Sequence, residues 1–396
     1  MTDIILSDQD LTEETKQCFD FYPEILQTFE FYARIVMKND RLSLLGRHLF
    51  RTLVEQSYSN CKNVLNYVRN DRQNPRNIHP SPSMVFLCGA ARTGSTLLYN
   101  LLACDPKSRA PTLLDMTMPV PPLSRSDVQA QKQRHDQARR SADALNNLGY
   151  DNHEQEQQKS HPSYKYEEDV FILYQSGLLV PHLEPHNSDE LATWFYDQTN
   201  KDFVYKYHRV FMEMLNRTDP PDSHWLLKTP YHGFNLETLI RHYPSALLIM
   251  THRDLQDVFP SSIRLGLSFG GAYFDHDTNH QDAHIDRDMI IQRRIRATQV
   301  QLDRIVDFRR SHPQVPVFDV TYQDLIRNPI DIIRQIYAYF RFQWSSEFEQ
   351  AMIDWLEENP QGKQGRHTYS LEEFDLNLET IQQRHQDYLK MFLRDS

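Results

Sequence analysis

Cysteine is scarce in this chain, and the few cysteines are scattered. The 396 residues include four of them, Cys18, Cys61, Cys88 and Cys104. They form no C-x-x-C pair and no paired spacing, so the sequence does not predict a disulfide framework. We expect free thiols in a reducing compartment, and therefore a cytoplasmic protein.

Long apolar runs and concentrations of positive charge are also missing. No stretch approaches the roughly 18 apolar residues of a membrane span, and residues 1–8 lack the basic and apolar regions of a secretory signal. The formal net charge is −11, without a stripe rich in Lys and Arg, which argues against a nucleic-acid partner. The sequence shows no His/Cys cluster at metal-ligand spacing, so no metal is expected.

The composition is otherwise that of an ordinary globular protein, with 39% hydrophobic and 24% charged residues. Apolar residues recur at helical spacing through residues 9–75. This pattern predicts an N-terminal helical segment, residues 1–80, packed on a larger domain, residues 81–396. A polar insert at about 124–160 is typical of a lid over a binding site or of a surface excursion, and we favour the excursion.

The chain is organised around residues 84–102. The apolar run from Met84 to Leu87 predicts a buried parallel strand, and the segment from Ser95 has the apolar spacing and capping hydroxyls of a helix. A turn bounded by Gly89 and Gly94 lies between them. Free backbone N–H groups and the positive end of the helix would point at one place, which makes an anion cradle. The same pattern also fits an ordinary strand–turn–helix junction.

This turn differs from the P-loop pattern G-x-x-x-x-G-K-[ST]. Ser95 occupies the position of the P-loop lysine, and the cation, Arg92, lies inside the turn. The missing lysine would have held the outer phosphates of a nucleoside triphosphate bound with Mg²⁺. A less highly charged phosphate fits better, and a Mg-dependent phosphotransferase stays open as an alternative.

Residues 89–98, Gly-Ala-Ala-Arg-Thr-Gly-Ser-Thr-Leu-Leu, resemble the 5′-phosphosulfate-binding loop of sulfotransferases that use 3′-phosphoadenosine-5′-phosphosulfate (PAPS). Far downstream, residues 247–254 read Leu-Leu-Ile-Met-Thr-His-Arg-Asp and are followed by Ser261, which is similar to the family's 3′-phosphate motif. Two such anion motifs in this order are much more specific than either alone. The resemblance implies transfer of a sulfonate from PAPS to a hydroxyl or amine, with release of 3′,5′-ADP.

The resemblance also implies which residues hold the donor. The 5′-phosphate and sulfonate would be held by Arg92, Thr93, Gly94, Ser95 and Thr96. Arg253 and Ser261 would hold the 3′-phosphate. Tyr322 lies in a segment similar to V-x-Y-[ED]-D-L-x-x-[ND]-P and would approach the nucleotide. Lys363 and Arg366, in a segment similar to G-K-x-G-R-H-x-Y-S-L-E-E-F, would close over the 3′-phosphate. Without the resemblance, these features are a buried tyrosine and an exposed cationic loop.

Residues 225–232, Trp-Leu-Leu-Lys-Thr-Pro-Tyr-His, resemble the family's W-x-L-K-[ST]-P-x-H. Lys228 ends a predicted strand, where α/β proteins bind their ligands. The resemblance implies that this lysine contacts the transferring sulfonate and the leaving oxygen.

Several residues compete for the role of general base. Asp115 stands where a branch of the family carries an acidic residue, generally Glu, and we favour it, although it could equally cap a local turn. His232 is the second candidate. Glu167 and Glu168, in an acidic cluster at the start of a predicted helix, come next.

Strands predicted at 84–89, 224–228, 246–251 and 316–321 alternate with helices. This order predicts an α/β fold with a P-loop-type central parallel sheet flanked by helices. Residues 269–274, Phe-Gly-Gly-Ala-Tyr-Phe, suggest an apolar wall suited to a lipid, phenol or other small hydrophobic acceptor. A non-catalytic nucleotide-binding protein that uses its N-terminal helices for partner contact is the remaining alternative.

Overall fold

The computed structural model describes residues 4–39, 42–73, 82–145, 165–179, 188–270, 273, 282–360 and 370–393. Its centre is a parallel sheet of four strands, β1 Ser83–Leu87, β2 His224–Lys228, β3 Leu247–His252 and β4 Val317–Thr321. Their order in the sheet is β2-β1-β3-β4. The predicted α/β class and all four predicted strands are confirmed, and the strand ends agree with the predictions to within two residues.

The register of the sheet brings the carboxyl ends of the strands to one edge. Leu87 of β1 lies beside Lys228, the last residue of β2, and His252 of β3 lies beside Thr321 of β4. The turn after β1 and Arg253 after β3 therefore leave the sheet on the same side. This is the edge where parallel α/β sheets bind ligands.

Helices pack against both faces of the sheet. Along β1, Val85 and Leu87 belong to one apolar cluster and Phe86 to the other, as the alternation of a strand requires. The α-helices are Glu13–Cys18, Tyr22–Val36, Leu44–Asp71, Ser95–Leu102, Leu113–Thr117, Val128–Leu145, Val170–Gln175, Asp189–Tyr196, Asp202–Thr218, Leu236–His242, Leu255–Gly270, Asp282–Ser311, Tyr322–Arg327, Pro329–Phe340, Ser346–Glu358, Leu378–Arg384 and Gln386–Phe392. Short 3₁₀ helices cover Pro230–Phe234 and Glu372–Phe374.

The N-terminal helices share their core with the sheet. Phe29 and Phe50, each fully buried, belong to the same apolar cluster as Phe86 of β1. Burying an aromatic side chain of this kind stabilises a fold by roughly 1.5–3 kcal/mol. The division into a segment at 1–80 and a domain at 81–396 stays a prediction.

The first part of the polar insert contains a helix, Val128–Leu145. Arg134 of this helix is buried and donates a hydrogen bond to the carbonyl of Pro121, so the start of the insert is anchored to the domain. The rest of the insert, 146–160, lies outside the described residues. Among the helices of the described ranges, none combines the length and the apolar character needed to cross a bilayer.

Candidate active site

A cleft of about 550 Å³ opens at the carboxyl edge of the sheet. Many of the predicted site residues line it: Arg92, Gly94, Ser95, Thr96, Glu167, Glu168, Lys228, Arg253 and Tyr322. Cationic, hydroxyl and acidic groups from five separate stretches of sequence thus face one space.

The turn after β1 takes two left-handed backbone conformations. Gly94 has φ +94° at the N-terminus of the helix Ser95–Leu102, and Arg92 has φ +65°. Only glycine adopts this region without strain, so Arg92 is held there by its surroundings. Inside the turn, the Thr93 hydroxyl donates to the carbonyl of Ala90 at 2.6 Å and lies 2.5 Å from the hydroxyl of Thr251. The buried Thr93 side chain therefore fixes the turn against β3.

Tyr322 packs between the two predicted anion motifs. A side chain at Gly94 would place its Cβ 2.6 Å from Cδ2 of the tyrosine ring, so glycine is required there for a second reason. The guanidinium of Arg253 lies over the same ring, 4.2 Å from its centroid, and pairs with Asp257 at 3.1 Å. The turn, Tyr322 and Arg253 are consequently one packed unit.

The Arg92 side chain joins the same two motifs directly. Its Nε donates to the hydroxyl of Ser261, on the helix Leu255–Gly270, at 2.8 Å. Ser261 is buried. The structure brings together all four of these predicted residues, Arg92, Ser261, Arg253 and Tyr322.

Lys228 and Glu168 form an ion pair in the cleft. Their side chains are 3% and 13% exposed, and Lys228 also donates to the Thr96 hydroxyl at 3.2 Å. The Thr229 hydroxyl donates to the second carboxylate oxygen of Glu168 at 3.3 Å. Because both side chains are largely shielded from solvent, the attraction between their charges is stronger than it would be on the surface. The pair supplies a cation and a proton acceptor side by side.

The Asp115 carboxylate caps a helix and does not line the cleft. Its carboxylate accepts the backbone N–H of Thr112 at 2.9 Å and the Thr112 hydroxyl at 2.8 Å, while its own N–H bonds to that hydroxyl. This is a capping box at the start of the helix Leu113–Thr117. Asp115 is buried and is not among the residues that line the cleft.

His232 is fully buried beneath the cleft, with both ring nitrogens occupied. Its Nε2 lies 2.9 Å from Oδ2 of Asp169, and its Nδ1 lies 2.9 Å from the hydroxyl of Tyr205. His208 approaches the same Asp169 oxygen at 3.1 Å and the hydroxyl of Tyr243 at 2.6 Å. We assign each Nε2 as donor to the carboxylate and each Nδ1 as acceptor from a tyrosine.

The electrostatics of this group agree with that assignment. Burial by itself would raise the pKa of Asp169, but the two histidines reverse the effect and lower it below its usual range. Burial lowers the pKa of His208. The ligand atoms of Asp169, His208 and His232 all lie within 4.8 Å of one another, close enough to hold a metal ion. This cluster could not be predicted from the sequence, since the three residues lie far apart in the chain.

Two further helices contribute side chains to the cleft that the sequence did not predict. Gln301, on the long helix Asp282–Ser311, accepts the backbone N–H of Ala91 at 3.3 Å and donates to the carbonyl of Pro230. It thereby braces the turn after β1 against the segment after β2. Leu49 and Leu53, from the N-terminal helix Leu44–Asp71, also line the cleft. The apolar periodicity of residues 9–75 predicts only packing helices there, and no motif in the sequence singles out Gln301.

Two predicted residues, Lys363 and Arg366, lie outside the described residues, so their roles stay predictions.

Comparison with known proteins shows the family of this chain. A family model described as the sulfotransferase family matches residues 82–346, more than half of the chain. The omega-hydroxy-beta-dihydromenaquinone-9 sulfotransferases Stf3 of Mycobacterium bovis and Mycobacterium tuberculosis are each 25% identical over 265 residues, which is 64% of this chain. The match spans 62% of the length of those relatives.

Solved structures share the fold over nearly the whole chain. The crystal structure of the sulfotransferase STF9 from Mycobacterium avium superposes with a TM-score of 0.75 at 21% identity and covers 98% of each chain. That of the sulfotransferase STF1 from Mycobacterium tuberculosis gives a TM-score of 0.69 at 21% identity, covering 97% of this chain and 99% of that one.

Proposed function

This chain belongs to the sulfotransferase family, and we propose on that premise that it transfers a sulfonate group from PAPS to the hydroxyl of a small, largely apolar acceptor. The products are the sulfated acceptor and 3′,5′-ADP. The observation that carries the proposal is the meeting of the glycine-bounded turn, Lys228 and Arg253 in one cleft.

The cleft residues fit the charges of the donor. The left-handed Gly94 leaves the backbone N–H groups at the start of the helix Ser95–Leu102 open to a 5′-phosphosulfate, with Arg92 and Thr96 beside them. Arg253 and Ser261 would hold the 3′-phosphate, and Tyr322 would flank the nucleotide. We extend the 3′-phosphate site to Lys363 and Arg366, as the family resemblance implies. No step in this scheme calls for a metal ion.

The proposed transfer step uses the Lys228–Glu168 pair. The acceptor oxygen forms a bond to the sulfur as the bond from sulfur to the bridging phosphate oxygen breaks, and that oxygen keeps the electron pair. Lys228 would stabilise the negative charge that develops on the leaving oxygen. The hydroxyl proton passes to Glu168, which acts as general base.

Glu168 is favoured as the base because of where the candidates lie. It lines the cleft, whereas the Asp115 carboxylate is engaged by Thr112 in a capping box. Both nitrogens of His232 are occupied, and the ring is fully buried. We assign Asp115 to local structure and His232, with Asp169, to positioning Glu168 from beneath the cleft.

The acceptor class is supported by the apolar lining of the cleft and by the name of two relatives. Aromatic side chains on several helices line the cleft beside the Lys228–Glu168 pair. The mycobacterial Stf3 proteins are named for an omega-hydroxy compound derived from menaquinone. An apolar molecule that carries a hydroxyl fits both observations.

A thermal-shift comparison tests the donor. We expect 3′,5′-ADP to raise the melting temperature in the presence of EDTA, since no metal is needed to hold it. Stabilisation by ATP only with Mg²⁺ would instead favour a phosphotransferase. A melting temperature that no nucleotide changes would favour a non-catalytic interaction protein.

A further inference from the structure

One face of the N-terminal helix Leu44–Asp71 forms part of the cleft. Leu49 and Leu53 both line the space, and they are four residues apart, so their side chains lie one above the other on a single face. Both are half-buried and pack against the main apolar core. This helix carries no chemical motif, yet it supplies an aliphatic wall to the site.

The start of the same helix holds another cleft residue in place. The backbone N–H of Ser43 donates to the carbonyl of Tyr273 at 3.0 Å. A side chain at Gly46 would place its Cβ 2.2 Å from that carbonyl oxygen, far too close for any substitution without movement. The N-terminal helix and Tyr273 are therefore fitted backbone to backbone, and Tyr273 lines the cleft.

Aromatic rings line the same cleft as the two leucines. Phe171 and Tyr174 lie on the helix Val170–Gln175, which begins just after Glu168, with ring centroids 5.6 Å apart. Phe195 packs edge-on against Phe234 at 5.2 Å. All four rings line the cleft. A hydroxyl held at Glu168 would thus be attached to a body that meets these rings, which favours a largely apolar body.

We propose that Leu49 and Leu53 are specificity-determining residues that limit how far an apolar acceptor extends from Glu168. The inference rests on the proposed function, because it takes Glu168 as the point where the acceptor hydroxyl lies. It commits to one acceptor class, a hydroxyl compound with an apolar tail, and to the N-terminal helix as the surface that the tail meets.

A ladder of 4-n-alkylphenols, from propyl to nonyl, tests the wall. Affinities are measured by calorimetry with the full chain, in saturating 3′,5′-ADP and in its absence. Each methylene should raise affinity about fourfold until the tail meets the wall, and then the gain should stop. In Leu49→Ala and Leu53→Ala, the tail length at which affinity stops rising should increase by one or two carbons. In Leu53→Trp, that length should decrease. The exposed neighbour Leu44 supplies the control, Leu44→Ala, which should leave the ladder unchanged.

The outcomes separate this proposal from the function it rests on. The proposal would be overturned if affinity stopped rising at the same tail length in all variants, or if Leu44→Ala changed that length as much as the other variants do. It would also be overturned if the wild type bound no alkylphenol. Variants that fail to fold are recognised by a lost thermal transition, and the second leucine then carries the test. If the ladder responds as expected but 3′,5′-ADP does not bind, the apolar site stands and the PAPS-dependent function fails.

Discussion

The ammonium group of Lys228 is paired with the carboxylate of Glu168 across 60 residues of sequence. Lys228 is the last residue of β2, and Glu168 lies two residues before the helix Val170–Gln175. The backbone N–H of Asp169 bonds to the carbonyl of Lys228 at 3.3 Å, so the two segments are also joined through the main chain. The proposed cation for the leaving oxygen and the proposed base for the acceptor are thereby placed side by side.

Glu168→Gln should lower the turnover number by about 10²–10⁴-fold, because the amide cannot take the acceptor proton. The affinity for 3′,5′-ADP should stay the same within a factor of about three, since the carboxylate is not assigned to the nucleotide. Acceptor-dependent release of 3′,5′-ADP with a 4-alkylphenol gives the rate, and calorimetry gives the affinity. Glu167→Gln is the neighbouring comparison, and an equal loss there would move the base away from Glu168.

Asp115→Asn should reduce stability rather than turnover. Loss of a capping interaction costs about 0.5–2 kcal/mol, and Thr112→Ala, which removes the other half of the box, should cost a similar amount. Chemical denaturation measures the stability, and turnover is compared well below the melting temperature. A folded Asp115→Asn variant without turnover would restore Asp115 as the base.

Arg253→Ala should weaken the binding of 3′,5′-ADP by about one to two decades, since a hydrogen bond to a charged group contributes roughly 1.5–3 kcal/mol. Adenosine 5′-phosphosulfate lacks the 3′-phosphate, so its affinity should change little. Calorimetry with both ligands makes the comparison. Equal losses for the two would mean that Arg253 does not bind the 3′-phosphate.

His224 should make the protein less stable in acid. Burial lowers the pKa of its imidazole to about 4, while the unfolded value is near 6.5. The unfolded chain therefore binds more protons, and stability is full above about pH 6.5 and falls as the pH drops toward 4. At pH 5 this one group costs roughly 2 kcal/mol.

The matched variant for this test is His224→Phe, which keeps a flat ring against Phe342, whose centroid lies 4.2 Å away. Between pH 7.5 and pH 5 it should lose less stability than the wild type, by about 2 kcal/mol, in urea denaturation. Identical pH dependence in the two proteins would show that His224 is not buried in its neutral form.

The part of the site that the sequence predicted is the part carried by contiguous motifs. The turn around Gly94 and Arg253 each follow a recognisable strand, and Lys228 ends one. Because the carboxyl ends of parallel strands share an edge, strand order alone places these residues near one another. The same logic predicted the α/β class.

The choice of base depended on packing that the sequence does not display. Asp115 matches the family by position, and only the three-dimensional structure shows its carboxylate bonded to Thr112. The pairing of Glu168 with Lys228 and the meeting of His208 with His232 at Asp169 join distant segments. The contribution of Leu49 is of the same kind, since a half-buried leucine on an amphipathic helix has the same pattern whether it faces a core or a cleft.

Sulfonate transfer is tested most directly by measuring 3′,5′-ADP release from PAPS in EDTA, with and without a 4-alkylphenol, for the wild type and Lys228→Met. We predict acceptor-dependent release by the wild type without added metal, and a rate lower by about 10²–10³-fold in the variant, because the leaving oxygen loses its cation. Release that requires Mg²⁺, or a Lys228→Met variant as fast as the wild type, would contradict the account.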